Sequence, residues 1–121
     1  MTAGYKLIAI LGPTASGKSA LAMELAGNLR AEILSLDSMQ VYRGMDIGTA
    51  KPTPDEQRAV KHHLIDLVEP SEMFTVARFV ELADAVIVDA KQRNVPLIAV
   101  GGTPLYYKAL FEGLFEGPSA D

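Results

Sequence analysis

Short apolar runs alternate along the chain with longer segments in which apolar residues recur every three or four positions. The runs have the length of buried strands, and the longer segments have the spacing of helices with one face on a core. The predicted strands span residues 6–11, 32–36, 63–67 and 96–100. Two predicted helices span residues 18–30 and 105–111, and two more begin at Thr53 and at Thr75. This alternation predicts an α/β fold with a mostly parallel sheet and helices on its faces.

Two of the predicted helices begin with capping residues. Thr53 precedes Pro54 and is followed three positions later by Glu56, which is the pattern of an N-cap, a first-turn proline and a capping box. Another helix begins at Thr75 and is stopped by Asn94. Its apolar stripe consists of Val76, Phe79, Val80, Ala83, Val86, Ile87 and Ala90. We expect this stripe to face the core.

Composition narrows the class of protein only slightly. The chain has 121 residues, 49% of them hydrophobic, which is enough for one domain with a buried core. No apolar run reaches the length of a membrane span and the first residues lack a secretory signal pattern, so we expect a cytoplasmic protein without a membrane partner. Cysteine is absent, which excludes disulfides and thiolate metal sites. The net charge of −4 does not indicate a nucleic-acid binder, although a local basic surface can still bind RNA.

The most specific motif lies between the first strand and the first helix. It has the pattern G-x-x-x-x-G-K-S, in which glycines bring the main chain close to a phosphate and helix N-terminal amides favour an anion. The phosphate-binding candidates are Gly12, Pro13, Thr14, Ala15, Ser16, Gly17, Lys18 and Ser19. Lys18 is expected beside the terminal phosphates, and the Ser19 hydroxyl suits a Mg²⁺ ligand. The motif predicts a P-loop NTPase-like three-layer sandwich that binds a di- or triphosphate, with ATP and other compounds left open.

Two further clusters follow strand ends, where open α/β sheets bind ligands. Asp37 comes after the second strand and is a candidate general base or metal-shell ligand, and Gln40 suits the edge of a base. Thr103 carries a hydroxyl at a helix start, and we expect it opposite Asp37. The alternatives are a turn cap for Asp37 and a helix N-cap for Thr103. Because glycines and no acidic residue follow the strand at 96–100, a kinase is disfavoured and a diphosphate leaving group is favoured.

The longest motif is the run D-S-M-Q-V-Y-R-G-M-D-I-G-T-A-K-P at Asp37–Pro52. Together with the phosphate loop, it resembles the tRNA dimethylallyltransferase family. The runs H-H-L-I-D at His62–Asp66 and G-G-T-P-L-Y at Gly101–Tyr106 extend the resemblance over essentially the whole chain. The resemblance implies an enzyme that transfers a dimethylallyl group from dimethylallyl diphosphate to N6 of the adenosine 3′-adjacent to the anticodon in tRNA.

The resemblance also implies roles for individual residues. The phosphate loop would hold the prenyl diphosphate with Mg²⁺, and Lys18 would stabilise the departing diphosphate. Asp37 would accept the N6 proton, and Thr103 would steady the leaving oxygen or contact the tRNA. The residues implied to hold the extruded base are Asp37, Ser38, Met39, Gln40 and Thr103. Arg43 and Lys51 are further candidates, for contact with RNA phosphate.

The sequence departs from the family in two respects. Pro104 stands where the family usually has glycine, which a first helical position tolerates. Members of the family are more than twice as long, so residues 1–121 are expected to form the P-loop phosphate-binding domain in the N-terminal part of a longer enzyme. A region that grips the tRNA anticodon arm would then lie outside the chain, which alone would bind diphosphate with little or no turnover. The alternatives are a small-molecule P-loop kinase, an adenylate isopentenyltransferase and a non-catalytic diphosphate-binding module.

Overall fold

The computed structural model describes residues 6–12, 17–44 and 51–116, with the side chains of 114–116 excepted. Strands and helices alternate along these residues, which confirms the predicted α/β fold. The strands are β1 (Leu7–Leu11), β2 (Glu32–Ser35), β3 (His62–His63) and β4 (Leu97–Gly101). The helices are α1 (Lys18–Leu29), α2 (Pro54–Ala59), α3 (Val76–Arg93) and α4 (Pro104–Glu116).

The described strands form one parallel sheet in the order β1-β4-β2-β3. The last strand in the sequence therefore lies between the first two. Its register runs from Leu7 opposite Leu97 to Leu11 opposite Gly101 on one side, and it pairs with β2 on the other. This order places the carboxyl ends of β1, β4 and β2 side by side.

Helices cover both faces of the sheet, which makes the fold a three-layer sandwich. Successive residues of a strand point to opposite faces, and in β2 Ile33 and Leu34 belong to separate apolar clusters. The cluster on the α1 face contains Ala22, Ala26, Ala31, Ile33 and Ile98. The cluster under α3 and α4 includes Leu34, Leu36, Phe79, Ala83, Ile87, Ala90, Leu97 and Leu110. The stripe predicted along α3 therefore does face a core.

The helix caps form as the sequence predicts. In α2 the amide of Glu56 donates to Thr53 Oγ1 over 3.1 Å, and the amide of Thr53 donates to Glu56 Oε1 over 2.9 Å. At the start of α3 the amide of Arg78 donates to Thr75 Oγ1 over 3.1 Å. Asn94 ends α3 in the left-handed conformation, with φ of 59°. These contacts satisfy amides and carbonyls that a helix end leaves unpaired.

The third strand is shorter than predicted. The sequence predicts extended chain over 63–67, whereas β3 contains only His62–His63. The reason is backbone conformation, since Leu64 and Asp66 have φ of 68° and 54° and cannot continue a strand. The chain therefore turns directly after β3.

The last helix is longer than the predicted span of 105–111. It begins at Pro104, which fits a first helical position, and continues through Gly113 to Glu116. Glycine weakens a helix without necessarily ending it, so the expected stop was wrong. None of the helices in the described ranges combines the length and apolar character needed to cross a membrane.

An ion-pair network ties the amino end of β2 to its neighbours. Arg93 donates to both carboxylate oxygens of Glu32 over 2.8 and 2.9 Å and also contacts Asp89. His63 Nε2 lies 2.7 Å from Glu32 Oε1. The hydrogen bonds from Arg93 lower the pKa of Glu32 from 4.5 to about 2. The network links β2 to α3 and β3.

Candidate functional site

Main-chain hydrogen bonds join the ends of three strands at one edge of the sheet. Gly12 donates to the carbonyl of Gly101 over 3.2 Å, which ties the residue after β1 to the end of β4. Leu36 donates to the carbonyl of Val100 over 2.8 Å, and Thr103 donates back to the carbonyl of Leu36 over 3.4 Å. These bonds confirm that the segments after β1, β2 and β4 converge, as the sequence predicts.

Gly101 makes the close approach of β4 and β2 feasible. A Cβ atom at this position would lie 2.3 Å from the carbonyl oxygen of Leu36 and 2.6 Å from its Cβ. Real Cβ atoms do not come this close to other heavy atoms. The first position of the predicted Gly-Gly-Thr cluster therefore contributes shape, and only glycine provides that shape.

The helix N-terminus that follows the predicted phosphate loop lies at this edge. Gly17 caps α1 in the left-handed conformation, with φ of 79°, and Lys18 and Ser19 begin the helix. Lys18 is 8% exposed, and Ser19 is exposed. The first-turn amides and the positive end of the helix dipole favour an anion here. The predicted loop residues that lie outside the described part of the chain are Pro13, Thr14, Ala15 and Ser16.

An open cleft of about 520 Å³, partly continuous with solvent, lies between α1 and the segments after β2 and β3. Its polar lining consists of Lys18, Ser19, Ser35, Asp37, Gln40, Glu56 and His62. Its other lining residues include Ala22, Met23, Ile33, Ile65 and Val100. The cleft therefore combines a lysine, two carboxylates and an amide with apolar lining residues.

Asp37 serves as a turn cap and also faces the cleft. Its Oδ1 accepts a hydrogen bond of 2.9 Å from the amide of Met39, which is the local role that the sequence analysis gave as the alternative. Its other carboxylate oxygen forms no hydrogen bond within the described part of the chain. The turn thus fixes the carboxylate and leaves one oxygen for a ligand.

Gln40 is held by the last residue of β2. Ser35, which is 4% exposed, donates from its hydroxyl to Gln40 Oε1 over 2.9 Å. This bond fixes the side chain of Gln40 on the cleft wall. The sequence analysis singled out Gln40 and missed Ser35, because a serine at a strand end carries no signal of its own.

Thr103 lies beside Ser38, the residue that follows Asp37. Its Oγ1 accepts from the amide of Ser38 over 3.0 Å and lies 3.4 Å from Ser38 Oγ. The bond joins the segments after β4 and β2. Of the predicted substrate-binding residues that the structure describes, Lys18, Ser19, Asp37 and Gln40 line the cleft. The others, which do not line it, are Gly12, Gly17, Ser38, Met39 and Thr103.

The far wall of the cleft comes from α2 and the β3 region and was not predicted. Glu56, His62 and Ile65 reach it because β3 lies next to β2. His62 Nδ1 is 2.8 Å from the carbonyl of Val60, and burial lowers the pKa of His62, which favours the neutral ring. No group of three His, Cys, Asp or Glu residues in the described ranges is arranged to hold a metal ion.

Arg43 and Lys51, the candidates for RNA contact, both bind within the chain. Lys51 Nζ lies 2.5 Å from Asp66 Oδ1 and donates to the carbonyl of Tyr42 over 2.9 Å, and its side chain is only 5% exposed. Arg43 pairs with Glu69 over 2.9 Å, and both side chains are more than half exposed. A buried Lys51 does not fit direct contact with RNA phosphate.

A three-layer sandwich with a cleft at the carboxyl edge of a parallel sheet defines a ligand-binding α/β protein. The sequence profile of the IPP transferase family matches residues 40–121. The chain therefore belongs to the IPP transferase family.

Two curated relatives carry the name tRNA dimethylallyltransferase. The tRNA dimethylallyltransferase 2 of Syntrophus aciditrophicus is 58% identical over 116 residues, which are 96% of this chain and 37% of that protein. The tRNA dimethylallyltransferase of Methylococcus capsulatus is 57% identical over 115 residues, 95% of this chain and 37% of its own length. The chain thus spans a little over a third of the length of these relatives.

Solved structures of similar proteins have the same fold. The full-length tRNA isopentenylpyrophosphate transferase of Bacillus halodurans superposes with a TM-score of 0.84 at 49% identity, over 96% of this chain and 37% of that one. A eukaryotic dimethylallyltransferase acting on tRNA superposes with a TM-score of 0.82 at 37% identity, over 88% of this chain and 26% of that one.

Proposed function

We propose that the chain supplies the diphosphate-binding and base-binding part of an enzyme that transfers a dimethylallyl group from its diphosphate to N6 of the adenosine 3′-adjacent to the anticodon in tRNA. The observation that carries the proposal is the cleft, in which Lys18 and Ser19 share one space with Asp37 and Gln40. Family membership and the names of the relatives support it. A cytoplasmic location belongs to the proposal because tRNA is the substrate.

In the proposed reaction, each of the two reactants occupies one side of the cleft. The adenosine N6 forms a bond to C1 of the dimethylallyl group, and the bond between C1 and the diphosphate oxygen breaks. The N6 proton passes to the carboxylate of Asp37, and the electron pair of the broken bond leaves with the diphosphate. Lys18 and the first amides of α1 stabilise the charge that develops on the leaving diphosphate.

The target base would meet the segment after β2. An adenosine in a tRNA loop must leave its stack to reach a cleft of this kind. Asp37 and Gln40 then contact its polar edge, while Ser38 and Met39 complete the contact with the nucleotide. Thr103 holds Ser38 in place through their 3.0 Å hydrogen bond, and it is also the proposed contact to the leaving oxygen or the tRNA.

The residues present fit a bound Mg²⁺. The Ser19 hydroxyl offers an oxygen ligand on the cleft, which is the donor type that Mg²⁺ prefers, and diphosphate oxygens and water would complete the set. When bound, the ion would neutralise charge on the diphosphate. Ser19 belongs to the first turn of α1, next to Lys18, so the helix would bring both to the same phosphate group.

Calorimetric titration tests which ligand the chain binds. The chain is titrated in the presence of Mg²⁺ with dimethylallyl diphosphate and, separately, with ATP. We expect the prenyl diphosphate to bind more tightly. Tighter binding of ATP would instead support a small-molecule kinase and overturn the proposal.

The Asp37→Asn substitution tests the chemistry in the protein at its natural length. Loss of the general base should slow single-turnover prenylation of tRNA roughly 10²- to 10⁴-fold. The affinity for dimethylallyl diphosphate should stay close to that of the unmodified protein, because Lys18 and the α1 amides hold the diphosphate. An unchanged single-turnover rate would exclude Asp37 as the base.

A further inference from the structure

The segment that carries Gln40 is fastened to a stretch of chain that follows β3. Four main-chain hydrogen bonds of 2.7 to 3.1 Å join residues 40–43 to residues 66–68. One of them runs from the amide of Asp66 to the carbonyl of Gln40 over 3.0 Å. Residues 66–68, here called the anchor, therefore hold the base side of the cleft through the backbone.

An ion pair between Lys51 and Asp66 adds a side-chain link between the anchor and the segment 40–43. The ammonium group of Lys51 bridges the Asp66 carboxylate, at 2.5 Å, and the carbonyl of Tyr42, at 2.9 Å. The side chain of Lys51 is 5% exposed, so its charge must be balanced by partners within the protein. One buried cation thus connects the anchor to the segment it holds.

The backbone of Asp66 explains why an aspartate is suited to this position. Its φ of 54° lies in the left-handed region, which Asp and Asn adopt more readily than other residues with side chains. In this conformation its amide reaches Gln40 while its carboxylate reaches Lys51. One contact of Asp66 therefore reaches the segment 40–43 directly, and the other reaches it through Lys51, which donates to the carbonyl of Tyr42.

A second ion pair nearby, between Arg43 and Glu69, is more exposed to solvent than the pair of Lys51 and Asp66. Arg43 donates to the carbonyl of Asp66 over 3.0 Å and to Glu69 Oε2 over 2.9 Å. The side chains of Arg43 and Glu69 are 59% and 55% exposed. Exposed pairs of this kind contribute little, so Glu69 offers a matched control for the Lys51–Asp66 pair, in which the lysine is buried and the aspartate side chain is 44% exposed.

We propose that Lys51 and Asp66 are positioning residues, whose ion pair fixes the segment 40–43 so that Gln40 meets the substrate base. The assignment rests on the proposed function. The pair acts on the base side of the cleft, whereas Lys18 and Ser19, on the diphosphate side, belong to α1. Loss of the pair therefore impairs the use of tRNA and spares the binding of prenyl diphosphate.

The test uses Asp66→Asn and Lys51→Met in the protein at its natural length, with Glu69→Gln as control. Asp66→Asn keeps the size of the side chain and its tolerance of the left-handed backbone. We expect kcat/KM for tRNA to fall roughly ten- to a hundredfold in both variants, with affinity for dimethylallyl diphosphate changed less than about twofold. The control should keep both values. If kcat/KM for tRNA and the affinity for dimethylallyl diphosphate fell by the same factor, the cause would be general destabilisation and the assignment would be overturned.

Amide hydrogen exchange tests the same pair without any substrate. In Asp66→Asn, exchange at the amides of residues 66 and 67 should become at least several-fold faster, while the Leu36 amide, which donates to Val100, should keep its protection. Unchanged exchange at the anchor would refute the positioning role even if catalysis fell. If the unmodified protein fails to prenylate tRNA while the anchor loosens as expected, the proposed function fails and the structural assignment stands.

Discussion

Replacing Gly101 with alanine should destabilise the protein at the point where β4 meets β2. The new Cβ would lie 2.3 Å from the carbonyl oxygen of Leu36, 2.5 Å from its carbonyl carbon and 2.6 Å from its Cβ. The two closest atoms belong to the backbone, so no side-chain rotation relieves the overlap. The ends of the two strands must move apart.

The cost follows from the contacts that this movement disturbs. The hydrogen bonds from Leu36 to Val100, of 2.8 Å, and from Thr103 to Leu36, of 3.4 Å, both cross this junction. Losing them costs about 1 kcal/mol each, and overpacking adds about 1–3 kcal/mol. We therefore expect Gly101→Ala to lower the free energy of unfolding by about 3–5 kcal/mol, a large share of the stability of an ordinary domain.

Gly27→Ala is the matched control. Gly27 lies within α1, and a Cβ added there would meet no atom within 4 Å. Alanine in a helix interior is favoured over glycine by about 1 kcal/mol. The same chemical change should thus stabilise the protein at position 27 and destabilise it at position 101.

Thermal unfolding followed by far-ultraviolet circular dichroism measures both variants. For a chain of 121 residues, 1 kcal/mol corresponds to about 4 °C in Tm. We expect Tm to fall by more than about 10 °C in Gly101→Ala and to rise by a few degrees in Gly27→Ala. A Gly101→Ala protein as stable as the original would refute the packing argument, as would shifts of the same sign in the two variants.

Two further predictions concern charge. Lys18→Met should weaken the affinity for Mg²⁺-dimethylallyl diphosphate roughly ten- to a hundredfold in calorimetry, because a charge-assisted hydrogen bond is lost; an unchanged affinity would remove Lys18 from the site. For Glu32, whose pKa falls on folding from 4.5 to about 2, the stabilisation is complete above pH 4.5 and is lost as the pH falls towards 2. Urea unfolding should therefore show Glu32→Gln to be less stable than the original by about 1–2 kcal/mol at pH 7, after allowance for solvent screening, with the difference vanishing near pH 2. A difference that stays constant with pH would contradict the ion-pair explanation.

The elements that the sequence predicted correctly are those set by local interactions. The capping box at Thr53 and the apolar stripe of α3 each arise from residues three or four positions apart, so their pattern is visible in the chain itself. The convergence of the three strand ends was also predictable, because parallel strands place their carboxyl ends at one edge. Lys18, Ser19, Asp37 and Gln40 could be singled out for this reason.

The features that the sequence did not predict depend on distant parts of the chain. In the sequence Lys51 is an isolated charge in an irregular stretch, and its burial involves contacts with Tyr42 and with Asp66, which are nine and fifteen positions away. Likewise, His62 joins the cleft because β3 pairs with β2. The left-handed conformations of Leu64 and Asp66, which end β3, occur in a run of residues whose composition suits a strand.

The position of β4 in the sheet determines how the two sides of the cleft meet. Within the described sheet, β1 and β2 do not pair with each other, and each pairs with β4. The predicted phosphate loop follows β1 and Asp37 follows β2, so in the proposed reaction the distance between the diphosphate and the attacking amine depends on the register of β4. A slip by one residue that put Val100 in the place of Gly101 would bring a side chain to the point where glycine alone clears the backbone of Leu36. The same close contact that stabilises the sheet therefore sets the geometry that the proposed reaction requires.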